Sequence, residues 1–317
     1  MTALSHRSKI IVAFTALYAL WGSTFLFIRF AIETIPPIVM SGVRFAVAGG
    51  ALVAWALARG ATPPTMREWR WATLIGTLML ALGNFAVVWS ELRIASGLAA
   101  LVIGSMPIWL VILDAMSPGG KRPAAPVVAG IVIGLAGVAL LVDPSPGAGH
   151  ATVALVVVLT GGAIAWAVGS ILSRYAPQPD APLLATGIQM LCGGAVLLIA
   201  AASTGDLSSL HVSQVTVKSA LSLLYLTVFG SIIGFTAYIW LLKNVAMAKV
   251  ATYSYVNPLI AVALGWAIAG ERVTPRIITA ALVILSSVAL ITVRGGSRRK
   301  PDDHVSATAS SNDFARR

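Results

Sequence analysis

Apolar residues in this chain are gathered into long runs, and short polar segments separate one run from the next. A helix of about 20 apolar residues crosses the roughly 30 Å hydrocarbon core of a bilayer. Runs of about this length lie at 10–31, 38–58, 71–90, 95–116, 126–142, 152–173, 183–202, 217–241, 247–269 and 275–293. The pattern therefore predicts an all-α polytopic membrane protein with ten transmembrane helices.

The polar segments divide the ten predicted helices into two groups of five. A stretch rich in Pro and Gly at 143–151 separates a first group at 10–142 from a second group at 152–294. Residues 1–9 form a short polar start, and residues 295–317 form a polar tail that we expect to be disordered. The first run is too long for the apolar core of a signal peptide, so we expect it to be retained as a helix.

Charged residues make up only 10% of the chain, whereas 58% of its residues are hydrophobic. A soluble domain carries about 25% charged residues, so this composition argues against a water-soluble protein. The net charge of +11 suggests nucleic-acid binding at first sight, but the basic residues do not cluster on a soluble module. With the N-terminus inside, sixteen of the 22 Lys and Arg residues fall on the cytoplasmic side. We therefore expect two cytoplasmic termini, contact with the lipid bilayer and no nucleic-acid partner.

The second group of helices repeats the sequence pattern of the first. The segment GNFAVVWSELRIASGLAALVIGSMP at 83–107 aligns with GFTAYIWLLKNVAMAKVATYSYVNP at 234–258, at an offset of 151 positions. The offset is 145 in the second helix of each group and 150 in the fifth, as changes in loop length would produce. An odd number of spans turns the second copy upside down, so the pattern predicts two inverted five-helix repeats.

Each copy carries a proline inside its fourth predicted helix, Pro107 in the first and Pro258 in the second. Proline removes a backbone donor and bends the helix axis. We expect two paired bends that face a shared site near the middle of the membrane. The spacing Gly130-x-x-x-Gly134-x-x-Gly137 suits close helix contact within the fold or in a dimer, so the oligomeric state stays open.

Several short motifs, taken together and in order, resemble one superfamily of transporters. They are Trp21-Gly22-Ser23-Thr24-Phe25, Arg44-Phe45, the Pro107 and Pro258 helices, and Gly270-Glu271-Arg272 before the last helix. In these motifs the chain resembles the ten-helix, duplicated EamA-type branch of the drug/metabolite transporter superfamily. The resemblance implies a central cavity between the halves, peripheral fifth and tenth helices, and export of small metabolites, including amino acids, across the bacterial inner membrane. The first repeat has Ser117-Pro118-Gly119-Gly120 in place of Gly270-Glu271, so whatever that glutamate contributes is not symmetric.

Arg44 is the most informative charge, because it lies well inside the second predicted span. A charge near the middle of the membrane costs at least about 2.5 kcal/mol, so Arg44 should face protein or a wet cavity. It either binds a substrate carboxylate or pairs with helix-end carbonyls, with Glu33 or with Glu91. Its counterpart in the repeat is Gln189, which suggests a polar interior face in both halves.

Neutral polar and aromatic residues in the middle of the spans supply the other candidates. The polar ones bridge helices or line water, since an unpaired amide is costly in hydrocarbon. The aromatic ones form a cavity wall or pack against lipid and neighbouring helices. The pairs Tyr253–Asn257 and Ser105–Trp109 are each spaced i, i+4 and should each share a helix face. The full set of candidate cavity residues is Trp21, Arg44, Asn84, Ser105, Trp109, Trp166, Gln189, Tyr253 and Asn257.

The chain lacks the sequence signatures of several catalytic activities. It has no G-x-x-x-x-G-K-[ST] phosphate loop and no H-E-x-x-H motif. Its four histidines fall in predicted loops or tails, and Cys192 is its single cysteine. We therefore expect neither an enzyme nor a metal or cofactor site.

These features favour a secondary transporter or facilitator that exports small amphipathic metabolites, above all amino acids or related compounds, by alternating access. A second hypothesis is an extruder of drugs or lipid-like compounds on the same fold. A third is a membrane assembly partner that transports nothing. Because few acidic residues lie in the predicted spans, a proton relay is not evident.

Overall fold

The computed structural model of the chain describes residues 5–117, 123–141, 149–245, 250 and 252–296. Helices and the segments that join them make up this part of the chain, and it contains no strand. We label ten helices within it: α1 His6–Ala31, α2 Pro37–Ala58, α3 Met66–Ser90, α4 Ser96–Met116, α5 Ala125–Leu140, α6 Gly149–Tyr175, α7 Pro182–Thr204, α8 Val217–Leu241, α9 Tyr253–Ala269 and α10 Pro275–Gly296.

Seven of the labelled helices are long and apolar enough to cross a membrane, and α5, α9 and α10 contribute shorter apolar segments. The prediction of an all-α polytopic membrane protein is confirmed. Most of the predicted connection at 143–151 and of the predicted tail at 295–317 lies outside the described residues.

Two helices, α1 and α3, begin four or more residues earlier than hydropathy predicted, because polar caps extend them. α1 begins at His6, where the Ser5 hydroxyl accepts from the Ser8 backbone N–H at 3.1 Å. α3 begins at Met66, where Thr65 and Glu68 form a reciprocal capping box. Capping satisfies the free N–H groups of a first turn and so adds polar residues to an apolar helix.

The fourth helix of the first half is broken rather than bent. Its first piece ends at Ile103, and its second piece begins at Met106 with Pro107 in the first turn. A proline is tolerated there because the first N–H groups of a helix have no intrahelical acceptor. The bend predicted at Pro107 is therefore a break at Gly104 and Ser105, whereas Pro258 lies inside α9.

A second pair of irregularities lies in the third helix of each half. The segments Thr77–Asn84 of α3 and Leu226–Ile233 of α8 are π-helical. They occupy matching places in the repeat. A π segment is rare, changes the faces that later residues present, and occurs frequently at functional sites.

The two halves pack together through reciprocal helix pairs. α1 packs against α8 and α9, and α6 packs in the same way against α3 and α4. α2 and α7 lie along each other with glycines at their contact: a Cβ atom on Gly49 would lie 2.7 Å from the Gly187 carbonyl oxygen. Such glycines let helix backbones approach closely.

α5 and α10 form the remaining close pair. Gly130, Gly134 and Gly137 all face α10, and the Ser287 hydroxyl donates to the Gly130 carbonyl at 2.8 Å. The glycine spacing noted in the sequence therefore serves contact within the fold.

Candidate functional site

A cavity of about 120 Å³ lies between helices of both halves. Six of the nine candidate residues line it: Trp21, Arg44, Asn84, Trp166, Tyr253 and Asn257. The first half contributes α1 to α4 to the wall, and the second half contributes α6, α8 and α9. The wall is mostly apolar, with a few polar groups at defined places, which is the usual composition of a small-molecule site.

The Arg44 guanidinium lies on the cavity wall and is only 3% exposed. Its Nε donates to the Ser231 hydroxyl at 2.9 Å, and its carbon Cζ lies 4.9 Å from the centre of the Phe45 ring. Its Nη1 has no hydrogen-bond partner among the described residues. Glu33 instead pairs with Lys218 at 2.6 Å, so this proposed structural partner of Arg44 is engaged elsewhere.

Two amide oxygens on the cavity wall are buried without a hydrogen-bond partner in the described part of the chain, Asn84 Oδ1 and Asn257 Oδ1. Asn84 is the last residue of the first π segment, and Asn257 precedes Pro258 in α9. An unpaired amide oxygen in an apolar setting can accept from an ammonium or a hydroxyl. The cavity therefore presents one cationic donor group and two acceptors.

Trp21 is the centre of an aromatic cluster on α1, α8 and α9. Its ring centre lies 5.1 Å from that of Phe235 and 5.2 Å from those of Tyr238 and Tyr253. Its indole Nε1 donates to the Gly230 carbonyl at 3.1 Å, in the second π segment. This hydrogen bond fixes the orientation of the ring at the cavity wall.

Ser105, Trp109 and Gln189 do not line the cavity. The Ser105 hydroxyl donates to the Val102 carbonyl of its own helix at 2.6 Å. Ser105 and Trp109 were expected to share a face because residues spaced i, i+4 do so on a continuous helix. The helix is interrupted at Gly104 and Ser105, so this spacing does not bring the two side chains to the cavity.

Gln189 lies on α7, where its side-chain nitrogen donates to the Gln178 side-chain oxygen at 3.3 Å. Gln189, the repeat counterpart of Arg44, therefore forms its hydrogen bond within the second half.

The repeat alignment also indicates two cavity residues that are absent from the set of sequence candidates, Phe235 and Met106. An offset of 151 pairs Asn84 with Phe235 and Met106 with Asn257, and all four line the cavity. Each polar side chain thus has an apolar counterpart in the other half. Polarity therefore distinguishes only one member of each pair in the sequence, Asn84 in the first pair and Asn257 in the second.

Ion pairs join first and fourth helices across the two halves. Arg29 of α1 pairs with Glu271, which follows α9, at 2.7 Å. Arg174 of α6 pairs with Asp114 of α4 at 2.6 Å. The two arginines are repeat counterparts at an offset of 145. The Arg29–Glu271 pair of one half thus corresponds to the Arg174–Asp114 pair of the other. The two acids differ in position, because Asp114 does not align with Glu271 in the repeat.

The two ion pairs differ in burial. The Glu271 side chain is 5% exposed, whereas the Asp114 side chain is 52% exposed. Gly270 has a left-handed backbone, with φ +66°, and turns Glu271 back over Gly265 toward the first turn of α4. There the Glu271 carboxylate accepts from Ser96 N at 2.8 Å and from Gly97 N at 3.2 Å.

Comparison with known proteins identifies the family. The model of the EamA-like transporter family matches residues 8–143 and again residues 153–293. The chain belongs to the EamA-like transporter family. The double match confirms the duplication, and five helices in each matched segment place the two copies in opposite orientations. This EamA-like chain is a multi-pass membrane transporter.

Individual relatives match nearly the whole chain. An "Uncharacterized inner membrane transporter YedA" of Escherichia coli (strain K12) is 38% identical over 283 residues, which cover 89% of this chain and 90% of the relative. A "Probable amino-acid metabolite efflux pump" of Salmonella typhimurium (strain LT2) is 24% identical, with 84% and 89% covered. A "Probable terminal-alkyne amino-acid exporter" of Streptantibioticus cattleyicolor is 25% identical, with 92% and 96% covered.

A solved structure described as "Crystal structure of protein" superposes with a TM-score of 0.61 at 22% identity. The match covers 90% of this chain and 98% of that one. At this identity the likeness supports the fold alone.

Proposed function

We propose that this transporter exports α-amino acids or closely related zwitterions through the cavity between its two halves. The observation that carries the proposal is the set of unpaired polar atoms on the cavity wall: Arg44 Nη1 as donor, with Asn84 Oδ1 and Asn257 Oδ1 as acceptors. A carboxylate would bind the guanidinium, and an ammonium would bind the amide oxygens.

The energetics favour this assignment over a purely structural one. A buried polar group without a partner costs about 1–3 kcal/mol, and a charged one costs more. Arg44 is almost fully buried, and in the described part of the chain its Nη1 atom has no hydrogen-bond partner. A zwitterion would satisfy the unpaired groups of Arg44, Asn84 and Asn257 together, while the aromatic rings around Trp21 would contact its side chain.

The size of the cavity favours a small metabolite over a drug. Drug-sized ligands occupy pockets of about 300–1,000 Å³, whereas this cavity measures about 120 Å³. The printed names of two relatives, an amino-acid metabolite efflux pump and an amino-acid exporter, support the same substrate class.

We place the protein in the bacterial inner membrane with both termini in the cytoplasm. The name of the YedA relative supports the membrane, and the distribution of Lys and Arg supports the orientation. In this mechanism the two halves rock around the cavity, so that the Arg29–Glu271 pair and the Arg174–Asp114 pair part in turn at opposite ends.

Efflux from cells loaded with dipeptides tests the proposal. Peptidases release the free amino acids inside, and mass spectrometry measures their appearance outside. We expect Arg44→Met to lower efflux at least about tenfold, because a hydrogen bond to a charged group is worth about 1.5–3 kcal/mol. Trp109→Phe is the matched control, since Trp109 was a sequence candidate but does not line the cavity.

The proposal fails if Arg44→Met exports every tested amino acid at the wild-type rate with normal membrane abundance. It fails equally if the wild-type protein moves hydrophobic cations and no amino acid, which would favour the extruder hypothesis.

A further inference from the structure

Glu91 is a buried carboxylate that the proposed transport site does not use. It follows the end of α3, outside the membrane-spanning segment, and is 5% exposed. Neither of its carboxylate oxygens has a hydrogen-bond partner in the described part of the chain. Most buried polar groups have a partner, so an acid with two unpaired oxygens requires an explanation.

Arg29, whose charge acts on Glu91, forms an ion pair with another acid, Glu271. Arg29 donates to Glu271 at 2.7 Å, and the same Glu271 oxygen accepts from the Ser96 backbone and hydroxyl. Among the described residues, Arg29 thus forms its ion pair with Glu271 and none with Glu91. Burial, followed by the charge of Glu271, raises the pKa of Glu91 well above its usual range, and Arg29 opposes this only in part.

Other arginines near this end do not neutralise Glu91. Arg93, two residues further along, is exposed and lies with Cζ 4.9 Å from the centre of the Trp89 ring. Arg272, next to Glu271, is also exposed. The charge balance around Glu91 therefore favours its neutral, protonated form.

We propose that Glu91 is a proton-binding site whose protonated form holds this end of the transporter closed. In the closed state the neutral carboxyl group is buried at the end of α3, within electrostatic reach of Glu271. When this end opens, water reaches the group, its O–H bond breaks and the proton passes to that water, which leaves a hydrated carboxylate. Closure takes one proton back. The inference rests on the alternating opening of the cavity, but not on the identity of the substrate.

The direction of the pH effect follows from the proton balance. The closed state binds the proton more tightly than the open state, in which the carboxyl group is hydrated. Raising the pH on the Glu91 side above the ordinary pKa of a glutamate therefore favours opening, and lowering the pH favours closure. A single proton limits the change to about tenfold per pH unit.

Cysteine labelling tests this without a transport substrate. The reporter is Thr24→Cys in a Cys192→Ser background, because Thr24 lines the cavity and is buried. An impermeant maleimide is applied to sealed vesicles from the Glu91 side between pH 5.5 and 8. Ser209→Cys, an exposed position in the connection before α8, identifies that side and corrects for the pH dependence of the thiol reaction.

In the wild-type background we expect the corrected labelling rate of Thr24→Cys to rise with pH. Glu91→Gln should make the rate independent of pH, at or below the wild-type rate at pH 5.5, and Glu91→Asp should restore the dependence. Glu33→Gln is the matched control, because it removes an exposed carboxylate at the same end and should leave the dependence intact.

Retention of the wild-type pH dependence in Glu91→Gln would overturn the proposal, whether or not amino acids are the substrate. Thermal unfolding provides a second measurement that needs no labelling. Glu91→Gln should unfold at a higher temperature than wild type at pH 8, and the difference should narrow as the pH falls toward the ordinary pKa of a glutamate. A variant that is less stable than wild type at pH 8 would also refute the site.

Discussion

The contact between α2 and α7 makes the most direct test of the packing, through the substitution Gly49→Ala. A Cβ atom at this position would lie 2.7 Å from the Gly187 carbonyl oxygen and 2.9 Å from Leu191 Cα. Heavy atoms pack at about 3.5 Å, and the Leu191 backbone nitrogen would lie nearer still, so the helices would have to part by at least about 0.8 Å. The obstructing atoms are backbone, and no side-chain rotation can relieve the overlap.

The magnitude follows from a matched substitution one residue away. A Cβ atom on Gly50 would meet no atom of the other described segments within 4 Å. Gly→Ala in a helix gains up to about 1 kcal/mol in propensity at either position. Overpacking costs about 1–3 kcal/mol at Gly49 alone, so Gly49→Ala should be less stable than Gly50→Ala by that amount.

Thermal unfolding of the purified variants in one detergent measures the difference. A loss of about 1–3 kcal/mol corresponds to roughly 1.5–4.5 °C for a chain of 317 residues, because the entropy of unfolding is about 2.1 cal/mol/K per residue. Gly50→Ala should unfold at or above the wild-type temperature. Equal unfolding temperatures for Gly49→Ala and Gly50→Ala would refute the close approach of α2 and α7 on which the fold depends.

Two further predictions concern the contacts around the cavity and its ends. Gly162→Ala should lower both the unfolding temperature and efflux relative to Gly161→Ala, because its Cβ would lie 2.6 Å from Ala86 Cβ while that of Gly161 meets nothing within 4 Å. Equal behaviour would contradict the contact between α3 and α6. Glu271→Gln should lower the unfolding temperature by several degrees more than Asp114→Asn, because exposed ion pairs contribute less than about 1 kcal/mol. Equal shifts would show that burial does not strengthen the Glu271 pair.

The positions of the helices were predictable from the chain because they depend on local composition. The predicted spans at 38–58 and 217–241 agree closely with α2 and α8. Where a predicted helix boundary differs from the observed one, as at the start of α3, a polar cap such as Thr65 extends an apolar helix. The repeat was also visible, since a duplicated helix order leaves ordered matches at nearly constant offsets.

The polar partners of the cavity residues were not predictable in the same way. Arg44 binds Ser231, which lies 187 positions away in the chain. No local pattern contains such a pairing, because it depends on how the two halves dock. The π segment that ends at Asn84 also lacked a sequence signal, since its residues are as apolar as those of an ordinary span.

By itself the sequence determined the membrane environment, the number and order of the helices, and the inverted duplication, since each follows from runs and offsets along the chain. The tertiary structure decided which faces meet. It broke α4 at Ser105, placed Trp109 and Gln189 outside the cavity wall, and left Glu91 buried without a hydrogen-bond partner among the described residues. The physical reason is that helix register and burial depend on contacts between distant segments, and those contacts exist only after the halves have packed.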